Sequence, residues 1–202
     1  MPETCLETID PRIRRTRQLL RQALEKLLET KEFDKISVQD IADTAPVNRA
    51  TFYDHYPDKF ALLDCLVAMR FDELLALRNV KFDGTCSSAL TGMVLSVCDY
   101  LAGTPVTDCT RQRQMEPHLE SAVIGVVRRM ILDGLKQHPS ANNVSPEMIA
   151  ATVSWAMYGA AKEWVRTPNR CPSEQIVGTV VQLVSPILAP LHANPLEAPD
   201  AK

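Results

Sequence analysis

The chain has 202 residues, 46% of them hydrophobic and 23% charged, and a formal net charge of −3. That balance excludes disordered and collagen-like chains and fits one domain, or a small one joined to a larger one. It also excludes a protein that coats nucleic acid non-specifically, whereas a site-specific binder needs only one basic face.

The first residues, MPETCLETIDPRIRR, lack the apolar core of a signal peptide, so a cytoplasmic protein with reduced thiols is expected. The six cysteines form no CxxC pair and no zinc-like Cys–His spacing, so neither a metal nor a cofactor is expected. Apolar positions at Ile13, Leu20, Leu24, Leu27 and Leu28 predict a helix over 12–30, with Pro11 in its first turn and Asp10 as cap. KEFDK breaks the pattern. Ser37, with Asp40 three residues on, predicts a capping box for a short second helix carrying Val38, Ile41, Ala42 and Ala45 on one face. Pro46 ends that helix. Asn48 caps a third, from Arg49 to about Tyr56. Pro57-Asp58 then opens a long fourth helix from Lys59 to about Arg78.

A loop around Gly84 follows, then helical stretches near 86–102, 117–137, 146–166 and 173–189, with a short one near 108–115. No strand-like alternation occurs. Gln175 to Leu196 carries no Asp, Glu, Lys or Arg, but Pro186 and Pro190 break its apolar part. A buried or interface helix fits it better than a membrane span, which needs about 20 mostly apolar residues. The predicted organisation is all-α: a three-helix unit over 1–58, a helical unit over 59–192 and a frayed tail over 193–202.

Two short helices joined by a tight turn and buttressed by a longer one describe a helix-turn-helix DNA reader. Val38, Ile41, Ala42, Val47, Phe52 and Tyr56 are placed to pack on Leu20, Leu24, Leu27 and Phe33. Arg49, Ala50, Thr51, Tyr53 and His55 are left to be divided between support and exposure. Arg49 suits a guanine edge, and small Ala50 allows close approach. Thr51 and Tyr53 offer hydroxyls to phosphates, and Lys59 begins the next helix where phosphate is favoured. Ser37 and Asn48, which open the two helices, join the candidate set. Residues 10–22 hold Arg12, Arg14, Arg15, Arg17 and Arg21 against one aspartate, and Arg14, Arg15 and Arg17 are expected on the DNA backbone.

The run SVQDIADTAPVNRATFYDHYPDKFALLDCLV resembles the DNA-binding segment of tetracycline-repressor-like (TetR family) regulators. It shares the Ile41-Ala42 pair, Ala45 and Val47 at the turn, the Thr51-Phe52-Tyr53 triplet, Tyr56, and Lys59 with Leu62-Leu63. The resemblance covers about residues 12–67. At Pro46 the family usually has Gly, sometimes Asn, and proline is held near −65°, so a turn built differently is expected.

The resemblance implies an N-terminal helix-turn-helix DNA-binding domain followed by a helical effector-binding and dimerisation bundle. It implies a transcriptional regulator, a repressor in the family's usual mode, that binds a palindromic operator in double-stranded DNA. It further implies release by a small-molecule effector and homodimerisation through the last two long helices. Tyr100, His118, Trp155 and Tyr158 are candidate effector contacts, being polar-tipped or aromatic residues on otherwise apolar helices. Two alternatives remain open: a helical binding or interaction protein without DNA binding, and a helical enzyme. Against the latter, no GxSxG, HExxH or Gly-rich phosphate loop is present.

Overall fold

The computed structural model describes residues 10–84, 86–103, 115–137 and 144–188. The predicted tail and all but the last residue of the stretch near 108–115 lie outside them, as do Cys5 and Cys109. The described residues form eight α-helices and no strand: α1 (Pro11–Thr30), α2 (Val38–Thr44), α3 (Arg49–His55), α4 (Lys59–Leu77), α5 (Ser87–Gly103), α6 (Glu116–Gln137), α7 (Pro146–Arg166) and α8 (Ser173–Leu188). A 3-10 turn, Phe33–Lys35, lies between α1 and α2.

The helices begin where local chemistry supplies an acceptor. Asp10 accepts from the Arg12 N–H at 2.8 Å, and Pro11 needs no partner for a donor it lacks. Ser37 and Asp40 form the reciprocal capping box, Ser37 Oγ accepting the Asp40 N–H at 3.1 Å and Asp40 accepting the Ser37 N–H at 2.9 Å. Ser145 caps α7 through the Met148 N–H.

The described residues divide into two compact units, one reaching to residue 69 and including 115–122, the other beginning at residue 70 and including the described residues from 123 on. In the first, α1, α2 and α3 pack on one another. Its core holds Leu20, Leu24 and Leu27 of α1, Phe33 and Ile36 of the connection, Ile41 and Ala42 of α2, Phe52 and Tyr56, and Leu62 and Leu63 of α4. Each large side chain fully buried there contributes about 1.5–3 kcal/mol relative to exposure.

In the second unit α5, α7 and α8 pack mutually around Met93, Val94, Val97, Val153, Met157 and Val180. The approach to α6 is close at Gly134, where a Cβ would lie 2.5 Å from the Phe82 ring and 2.9 Å from the backbone of residues 82 and 84. Only glycine fits there. The last helix runs as the sequence predicts, α8 continuing through Pro186 to Leu188. Pro186 has no N–H for the helix ladder, so one hydrogen bond is missing in the last turn. Among the described residues no helix is long and apolar enough to cross a membrane.

Candidate nucleic-acid interface

The turn between α2 and α3 is closed by the Val47 N–H on the Ala42 carbonyl at 3.0 Å. This six-residue closure leaves the residue before Val47 in the position that ordinarily turns left-handed. Pro46 occupies it at φ 20°. The closure is built without a donor at this position, and the backbone stands away from the proline ring's preferred −65°.

Asn48 then caps α3, accepting the Ala50 N–H at 2.9 Å. Phe52 is fully buried and Tyr56 nearly so, which fixes the inner side of α3. Arg49, Ala50, Tyr53 and Asp54 are exposed on the outer side, while Thr51 and His55 are half-buried. The Arg49 guanidinium lies along Tyr53, donating to its hydroxyl at 3.3 Å and standing 5.7 Å from the ring centroid. Tyr53 in turn meets Phe52 edge-on with centroids 5.5 Å apart. The exposed pair thus rests on a buried aromatic anchor.

Arg12, Arg14 and Arg15 are exposed on the first turns of α1, and Arg17 is half-buried. Arg17 lies close enough to His55 to add to the effect of burial in holding that imidazole's pKa below 6.5. The α1 arginines and α3 thus belong to one basic region. Neither helix carries an acid in its first turn. A cation at a helix N-terminus costs about 0.3–1 kcal/mol against the macrodipole, a loss that an external polyanion would reverse.

Two candidates are occupied elsewhere. Ser37 is exposed, but its hydroxyl both accepts from the Asp40 N–H and donates to Asp40 Oδ2 at 2.6 Å. Lys59, expected on phosphate, instead donates to the carbonyls of Phe33, Asp34 and Ile36 at 2.9, 3.3 and 2.8 Å. An ammonium has three hydrogens, and all face the protein's own backbone.

The four effector candidates are dispersed. His118 lies in the first unit, stacked on Phe60 at 4.7 Å between centroids, with Nδ1 3.0 Å from Asp64 Oδ1. It joins the start of α6 to α4. Tyr100 meets Phe71 edge-on at 5.9 Å, and burial pushes its phenol up to about 12. Tyr158 is buried in the second unit with Lys162 Nζ 5.8 Å from its ring centroid. Trp155, on the same helix, is 56% exposed. Residue type alone did not bring His118 to Phe60 or Lys59 to Phe33, because each of these partners lies far along the chain.

Residues 20–66 match the family described as bacterial regulatory proteins, tetR family. The HTH-type transcriptional regulator EthR of Mycolicibacterium smegmatis is 41% identical over 64 residues, which are 32% of this chain and 28% of that protein. The chain spans less than a third of the length of the first curated relatives it matches. Among solved structures, Lin0861 from Listeria innocua superposes with a TM-score of 0.59 at 20% identity, covering 89% of this chain and 94% of that one. Thermus thermophilus FadR, a TetR family transcriptional repressor solved with lauroyl-CoA, gives a TM-score of 0.50 at 16% identity, covering 92% of this chain and all of that one.

Proposed function

We propose that this chain, a member of the tetR family of bacterial regulatory proteins, is a sequence-specific DNA-binding transcriptional regulator acting in the cytoplasm. One observation carries the reading: a capped helix, anchored from within by Phe52 and Tyr56, offers Arg49, Ala50 and Tyr53 outward beside the arginines of α1. Arg49 reads a base edge. Arg14, Arg15 and Arg17 hold the backbone, aided by Tyr53, Thr51 and the Asn48 amide. His55 and Ser37 support the two reading helices.

The second unit is read as the effector-binding and dimerising part, with repression relieved by a small molecule. The structure of Thermus thermophilus FadR with lauroyl-CoA supports an organic ligand in this fold. Tyr100 and Tyr158 are the inward-facing candidates in this unit. A single α3 reads only a few base pairs, so two copies spaced by about 34–36 Å along DNA would read a palindrome.

A mobility-shift assay on the DNA upstream of the chain's own gene tests the reading. Sequence-specific retardation is expected, with Arg49→Ala costing about 1–3 kcal/mol at the base it contacts and relaxing preference there. Equal binding to every duplex, or unchanged preference in Arg49→Ala, would remove the assignment.

A further inference from the structure

Lys59 is the first residue of α4, and the carbonyls it holds belong to the segment that enters α2. Ile36, one of them, directly precedes the Ser37 cap. The ammonium also lies 4.6 Å from the Phe33 ring centroid and 5.7 Å from that of Phe60. One side chain therefore joins the backbone leading into the α2–α3 pair to the backbone leading out of it, across 23 to 26 residues.

We propose that Lys59 is a positioning residue, a staple that closes the reading pair at its base and makes no phosphate contact. The proposal rests on the operator-binding reading above. Its physical ground is donor number. The carbonyls at the end of the 3-10 turn converge on a single point, which suits a compact ammonium with three rotatable hydrogens. The two aromatic faces add a cation–π attraction in the same place. An arginine keeps the charge but spreads its donors in a rigid plane, so it cannot reproduce the arrangement. Phosphate recognition makes the opposite demand, since arginine binds phosphate at least as well as lysine does.

That contrast defines the experiment. A duplex enriched by the parent chain from a random-sequence pool is the specific probe, and an unrelated duplex of equal length is the control. Full-length Lys59→Arg and Lys59→Met are compared with the parent across a salt series, and amide hydrogen exchange of residues 38–44 is followed without DNA. Both variants should bind the selected duplex about tenfold or more weakly, the effect of taking the compact donor from the half-buried Ile36 carbonyl. The slope of log affinity against log salt should stay at the parent value, and the α2 amides should exchange faster. Parent-strength binding by Lys59→Arg would overturn the staple. So would a slope smaller by about 0.9 in Lys59→Met, the signature of one lost phosphate contact. Unchanged exchange in α2 would overturn it as well. The exchange measurement needs no DNA, so a parent chain that enriches no duplex would defeat the operator reading alone. If Lys59→Met does not fold, Lys59→Arg decides.

Discussion

Pro46 holds a backbone angle its own ring opposes. At φ 20° it sits where a left-turning residue closes α2, and it has no N–H to give the closure its second bond. Glycine would take this φ freely and restore the donor. The gain is offset in part by glycine's greater freedom in the unfolded chain. Pro46→Gly is therefore expected to raise unfolding stability. Denaturant titration measures it, and a lower midpoint in the variant would mean that the turn is relaxed with proline in place. The conflict at this residue was visible in the sequence, because proline's φ is fixed by its covalent ring. Its resolution was not visible, because it depends on how strongly the buried residues on both sides hold the bend.

At the scale of the helix, α3 carries a second tension at its end. His55 is half-buried there, and burial first, with the Arg17 guanidinium second, holds its pKa below 6.5. The folded chain thus binds this proton more weakly than the unfolded chain. Stability is at its full value above the unfolded pKa of about 6.5 and declines as pH falls from there toward the lower folded value. Denaturant midpoints between about pH 8 and pH 5 should show that decline, and His55→Gln should flatten its own share of it. An identical decline in the variant would place the titration elsewhere. Helix starts were legible from sequence because a cap is local: Asp10, Ser37 and Asn48 each accept an N–H two or three residues ahead. The carbonyl contacts of Lys59 were not legible for the converse reason, its acceptors lying beyond the reach of any local pattern. The contacts of His118 with Phe60 and Asp64 were hidden for the same reason.

For the whole molecule, the proposal of a dimer rests on what α7 and α8 leave uncovered. Trp155 is 56% exposed, Met148 61% and Leu183 69%. A Cβ added at Gly159 or Gly178 meets nothing within 4 Å, so the subunit itself does not require glycine at either place. Glycine within a helix costs about 0.5–1 kcal/mol relative to alanine, which makes its presence on an open helical surface informative. Close approach of a second copy would account for it. Gly159→Leu should leave the helical circular dichroism unchanged while sedimentation shows dimer converted to monomer; an unaffected dimer would place the contact elsewhere. Another consequence follows from where the two compact units divide. The divisions after residues 69 and 122 fall inside α4 and α6, so each of these helices gives one part of its length to either unit. Recombination at those points would exchange severed rods in place of whole cassettes. Chimaeras between relatives should therefore keep their shape only when the crossover falls in a connecting loop and each rod is inherited intact.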